Sequence, residues 1–116
     1  MSKGYLVRDI AEVEPVPCPC GWSRRPISIK DTSIASIYVT SIADSQKHYH
    51  KQTCEFYYIL EGTGTMELGE EKVALKPGVV IMIAKLTPHR GYGDFKALIV
   101  GVPALQEKDE FFTDTK

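Results

Sequence analysis

The chain reads as an all-β protein, a sandwich or barrel, on three observations. Roughly seven to ten short apolar runs follow one another between turn signals rich in Gly, Pro and Asp. No stretch carries an amphipathic helical period of useful length, and apolar runs such as Val79 to Ile83 are short enough to be buried strands.

The elements follow in order. Met1 to Trp22 reads as an extended arm or loop, with Pro15, Pro17, Pro19 and Gly21 alternating toward its end. Ile27 to Ile42 reads as two strands around the polar Lys30-Asp31-Thr32-Ser33 turn. His48 to His50 and Glu55 to Leu60 form the next strand pair, Gly62-Thr63-Gly64 breaks or bends the chain, and Thr65 to Leu68 resumes it before the Gly69-Glu70 turn. After Val73-Ala74-Leu75 and the Pro77-Gly78 turn, Val79 to Ile83 is fully apolar and reads as a buried strand, with Met82 as core packing. Phe95 to Val102 closes the series, and the acidic end from Gln106 to Phe112 has room for a helical turn.

At 116 residues the chain is expected to be a single domain, residues 1–116, able to bury a core without staples. Fourteen basic against 15 acidic residues give a net charge of −1, which excludes a broad positive field for nucleic acid. No apolar run approaches the roughly 20 residues that span a bilayer, and Arg8 and Asp9 interrupt any leader-like stretch, so a cytoplasmic protein is expected. Of the three cysteines, Cys18 and Cys20 are separated only by Pro19; a disulfide between them would be strained, and free thiols are expected.

Strand parity places Glu55, Tyr57 and Ile59 on one face and Phe56, Tyr58 and Leu60 on the other. Both faces are apolar, so both call for cover. The arm or a second copy of the chain can supply it; a homodimer is the expectation, because one Pro-rich arm is thin cover for several aromatic rings.

The three histidines are concentrated: His48 and His50 are two apart, Glu55 lies five further on, and His89 follows the next apolar block. Residues two apart on a strand project from one face, so His48 and His50 can turn toward one point. Five positions from His50 to Glu55 is an odd count, so Lys51-Gln52-Thr53 must hold a turn or bulge for the carboxylate to come back beside the rings. His89 is expected on a loop at the barrel mouth. If the four meet, three imidazoles and one carboxylate make a site for one divalent transition metal, Fe, Mn, Ni, Zn or Cu, with positions open for substrate or water.

His48-Tyr49-His50, Glu55 and Gly62 resemble the first motif of the cupins, and Gly78 with His89 resembles the second; together they cover residues 42–93. The intervals agree, with four residues between His50 and Glu55, six between Glu55 and Gly62, fifteen between Gly62 and Gly78 and ten between Gly78 and His89. The resemblance implies a double-stranded β-helix, a jelly-roll barrel, with His48, His50, Glu55 and His89 as metal ligands. The family's turn-shaping glycine, proline, glycine and asparagine would fall at Ile42, Ala84, Leu86 and Gly93, where this chain departs from it.

Two further candidates concern substrate. Arg24 or Arg25, if directed into the barrel, would pair with a carboxylate or phosphate; the alternative is a solvated turn. Tyr57 shares a strand face with Glu55, and its hydroxyl is placed to donate a proton or bond a substrate; the alternative is a core tyrosine. The functional expectation is a small metal-dependent enzyme, of dioxygenase, isomerase or lyase type, acting on a small polar or carboxylate-bearing molecule. A non-catalytic module that binds a sugar or small acid is the alternative.

Overall fold

The structure is a computed structural model that describes residues 3–113; Met1 and Ser2 of the expected arm, and the last three residues of the expected single domain, lie outside the described residues. Among the described residues nine strands run in chain order: β1 Val16–Cys18, β2 Gly21–Ile27, β3 Ser36–Asp44, β4 His48–Tyr49, β5 Cys54–Leu68, β6 Glu71–Leu75, β7 Val80–Ile83, β8 His89–Val102 and β9 Phe111–Phe112. Single turns of 3-10 helix lie at Ile10–Glu12 and Glu107–Asp109. Every pairing is antiparallel, and the path β1-β2-β3-β8 continues through β8 to β5, whose far edge carries β7 and then β6. The result is the all-β jelly roll expected. No helix among the described residues is long and apolar enough to cross a membrane.

The long β5–β8 ribbon carries the architecture. Glu55 pairs with Gly101 at one end and Leu68 pairs with His89 at the other. In a flat ribbon those ends would stand about 43 Å apart, at ~3.3 Å per residue. Yet Glu55 Oε1 lies 3.0 Å from His89 Nε2. The ribbon is therefore curled through the barrel, and two features permit it. The register shifts between Ile59 and Glu61, a bulge that increases local twist. Gly62 has φ +83°, and a Cβ there would stand 2.1 Å from the Asp94 carbonyl oxygen, so only glycine lets the two backbones approach.

The concave face of the ribbon is the core: Tyr57, Ile59, Met66, Phe95, Ala97 and Ile99, closed by Ile42, Leu75, Ile81 and Ile83. The convex face lies open in the single chain. Phe56 and Tyr58 are 37% and 47% exposed, and Val80 and Met82 are 69% and 67% exposed, so β7 buries only alternate residues and Met82 is not core packing. The arm does not supply the cover. Its Ile10 and Pro15 flank a groove that takes in Trp22 and Leu60 at one end of this face but neither Phe56 nor Tyr58.

Other boundaries also moved. Residues 16–18 of the expected arm are a strand, because an edge strand tolerates Pro17, which has no N–H to donate. His89 opens β8 rather than lying on a loop. The C-terminal segment makes its expected helical turn and then adds β9, which pairs with β4.

Candidate metal centre

His48 on β4, His50 just beyond it, Glu55 at the second position of β5 and His89 at the first of β8 bring one ligand atom each to within 4.8 Å of one another. Each imidazole is oriented from behind. The Nδ1–H groups of His48, His50 and His89 donate to the carbonyls of Gln46, Asp109 and Thr87 at 2.8, 2.8 and 2.9 Å. A carbonyl only accepts, so Nδ1 carries the proton and each neutral ring presents the Nε2 lone pair to the interior. Nε2 of His50 and of His89 stand 3.2 and 3.0 Å from Glu55 Oε1.

That arrangement is unfavourable unless something sits at its centre. Among the described residues, His50 Nε2, His89 Nε2 and Glu55 Oε1 are the buried side-chain polar atoms without a hydrogen-bond partner. Converging lone pairs repel, and each unsatisfied buried acceptor costs about 1–3 kcal/mol. A divalent cation held by the four atoms satisfies all of them, and the N/O donor set suits a first-row transition metal. The residues therefore fit the metal that the ligand pattern implies. Backbone carbonyls fixing the ring tautomers are the usual support behind such ligands.

In the metal-free centre a proton on the facing rings can take the ion's place, and the electrostatics describe that state. Burial, reinforced by neighbouring His89, lowers the His48 pKa to about 4. Burial opposes ionisation of Glu55, but the facing His50 and His89 rings outweigh it and hold the carboxyl well below its usual range. Burial likewise disfavours a charged His50, and the Glu55 carboxylate overcomes it, raising His50.

The turn required between His50 and Glu55 is made by a residue far along the chain. Asp109, buried in the C-terminal 3-10 turn, accepts hydrogen bonds from the backbone N–H groups of Lys51, Gln52 and Thr53 at 2.9, 3.1 and 3.3 Å, while its carbonyl takes the His50 Nδ1–H. The same segment brings Glu110 Oε2 to 3.9 Å from His48 Nε2, and burial raises the Glu110 pKa. Neither residue stands out in the sequence, where both belong to a polar acidic end.

The centre opens on a cavity of about 870 Å³ whose wall includes Tyr57, Arg25, Tyr38 and Glu110. Tyr57 is 6% exposed, and burial followed by nearby Glu55 pushes its pKa well up, so its hydroxyl stays a donor. Adjacent arginines on β2 face opposite sides. Arg24 points away from the cavity, its guanidinium donating to the carbonyls of Ile10 and Val13 at 3.1 and 3.0 Å and pinning the arm. Arg25 takes the inward place, its guanidinium 4.7 Å from the Tyr38 ring centroid.

An all-β barrel that gathers three imidazoles and a carboxylate on its inner face is, by fold and site, a candidate metal-binding barrel. The chain belongs to the cupin family: the Cupin domain model matches residues 39–99. It is 36% identical over 81 residues to an uncharacterized protein of Methanocaldococcus jannaschii, a match that covers 66% of this chain and 65% of that one. The chain thus spans just under two thirds of that relative's length. A crystal structure of a protein from Planctomyces limnophilus is similar with a TM-score of 0.89 and 28% identity, covering 97% of this chain and all of that one. The Streptomyces nucleoside dehydratase Pac13 shares the fold at a TM-score of 0.82 and 18% identity, over 94% and 91% of the two chains.

Proposed function

We propose that residues 1–116 act as one metal-dependent cupin enzyme, of dioxygenase, isomerase or lyase type, on a small polar or carboxylate-bearing molecule. The observation that carries this reading is the convergence of three unsatisfied buried acceptors beside a cavity large enough for such a substrate. His48, His50, Glu55 and His89 would hold the ion, which when bound supplies Lewis acidity or, if redox-active, electron transfer. Arg25 binds the anionic end of the substrate as a fixed fork, and stacking on Tyr38 limits its freedom. Tyr57 Oη holds a proton at the cavity wall and donates it to a developing oxyanion. Glu110 offers a carboxyl group on the His48 side. Arg24, pinning the arm, serves the substrate only indirectly.

The ion is proposed to be Fe, Mn, Ni, Zn or Cu, since availability decides among first-row ions for a mixed nitrogen and oxygen set. The convex patch of Phe56, Tyr58, Val80 and Met82 supports a homodimer through that face. Three free thiols suit the cytoplasm.

The test is to strip and reload the untagged protein with each metal, then assay oxygen uptake and isomerase or lyase turnover on small hydroxy acids, keto acids and sugars. Metal-dependent turnover that falls in the Arg25→Met variant, with metal content intact, supports the reading. Ligand binding without turnover on any reloaded form favours the non-catalytic alternative. Absence of metal binding overturns both the ion and the chemistry.

A further inference from the structure

The β1–β2 hairpin presents two thiols to the cavity. Cys18 ends β1, Cys20 sits in the turn, and both are free and partly buried. Only Pro19 separates them in the chain. Both line the cavity that also holds the histidine cluster, so a small solute entering it meets them. The turn is firmly seated. The Cys20 carbonyl accepts from the Ala43 N–H at 3.0 Å, and Cys20 packs against the core. Next to it, Gly21 has φ +153°, and a Cβ there would lie 2.1 Å from the Ser41 carbonyl oxygen.

We propose that Cys18 and Cys20 form a peroxide-reactive dithiol on the cavity wall that closes reversibly to an intramolecular disulfide. The Cys18 thiolate attacks one oxygen of hydrogen peroxide; an S–O bond forms, the O–O bond breaks, and hydroxide leaves, taking a proton to become water. The Cys20 sulfur then attacks the Cys18 sulfenic sulfur; the S–S bond forms, the S–O bond breaks, and a second water leaves with the Cys20 proton. Two thiols lose two electrons and two hydrogens, and one peroxide becomes two waters.

The division of labour follows from surroundings. The hydrogen bond from Cys20, against the cost of burial and helped by backbone N–H groups and the charge of Arg25, lowers the Cys18 pKa to about 6; the same contact and burial raise Cys20. Cys18 is thus the attacking sulfur and Cys20 the resolving one. A lowered pKa raises the share of Cys18 present as thiolate at pH 7 above that of an ordinary thiol. Because nucleophilicity falls with pKa, the pH profile is a sharper signature than the rate. The strain of closing so small a ring keeps the disulfide easily reduced, which is what reversibility requires.

The experiment uses the reduced full-length chain, treated with hydrogen peroxide, alkylated, and mapped by peptide mass spectrometry. The 18–20 peptide is expected to lose two hydrogens and regain them with dithiothreitol. Cys20→Ser is expected to stop at a Cys18 sulfenic acid that dimedone traps, and iodoacetamide alkylation of Cys18 to show its half-point near pH 6. Oxidation that maps first to Cys54, disulfides between chains, or a Cys18 alkylation half-point near 8.5 would each overturn the proposal. If the serine variant fails to fold, the wild-type map and alkylation profile decide alone.

Discussion

Asp109→Asn isolates the support behind the metal centre, because it keeps shape and removes charge. In the native chain Oδ1 accepts from Lys51 N–H, and Oδ2 accepts from both Gln52 and Thr53, so three backbone donors depend on one buried carboxylate. In the amide variant one side of the group becomes a donor facing a donor. At least one backbone N–H is left unsatisfied at about 1–3 kcal/mol, and the remaining bonds lose charge assistance worth about 1 kcal/mol. A total of about 2–4 kcal/mol, at about 4 °C per kcal/mol for a chain of this length, lowers the melting temperature by about 8–16 °C. Because the freed turn carries His50 and leads into Glu55, metal affinity should fall about 10–100-fold, as for other groups that support metal ligands. Calorimetric melting of the metal-free protein and competitive metal titration with a chromophoric chelator read the two effects separately. A variant whose melting temperature stays within 2 °C of wild type and whose metal affinity stays within about twofold would refute the role given to Asp109.

Other expectations are as direct. The His48 pKa is depressed to about 4 against 6.5 in the unfolded chain, so the unfolded state takes up the proton first as pH falls. Its contribution to stability is full above pH 6.5 and is lost between 6.5 and about 4, amounting to about 2–3 kcal/mol for a side chain only 12% exposed. Urea unfolding of metal-free His48→Gln should show a shallower decline over that window than wild type; parallel curves would contradict it. Glu55→Gln should lower metal affinity more than about 100-fold and also destabilise the metal-free protein at neutral pH, since the fold favours the ionised carboxyl over a neutral group. Thermal melts and metal titration check both signs together. Among the described residues Leu86 is the one non-glycine with positive φ, at +70°, and it is 58% exposed. Leu86→Gly should therefore stabilise by about 0.5–1 kcal/mol. A fall in melting temperature would show that Leu86 contacts outweigh the backbone strain. Val80→Lys with Met82→Glu should leave metal stoichiometry unchanged and give a monomer in light scattering if the convex face joins two copies; an unchanged dimer would place the interface elsewhere.

The parts of this fold that rest on local pattern are legible in sequence. Strand parity sorts Glu55, Tyr57 and Ile59 from Phe56, Tyr58 and Leu60, and the odd count from His50 to Glu55 demands the turn that the backbone makes, but with both sets apolar the pattern does not tell which face the single chain buries. The departure at Leu86 is legible as well: glycine's place in the cupin motif is a left-handed residue here. What depends on distant pairing is not. Asp109 reaches back 56–58 residues to the Lys51–Thr53 turn, and nothing in an acidic tail distinguishes a buried clamp from a solvated turn. The same applies to Glu110 beside His48. Arg24 and Arg25 are chemically identical neighbours on opposite faces, and the inward one is fixed only when β2 docks on β3. Val79 to Ile83 reads as wholly buried because every residue is apolar, whereas β7 buries one face and leaves Val80 and Met82 outward.

The most direct test is equilibrium dialysis of the stripped, untagged protein against Mn(II), Fe(II) and Zn(II), beside the His50→Ala and His89→Ala variants, with circular dichroism to confirm folding. One tightly held ion per chain, lost in both folded variants, is the expected result, because a barrel core stands without the ion. Retention of the ion by folded His89→Ala, or no uptake by the parent chain, would mean that strands β4, β5 and β8 do not share a centre.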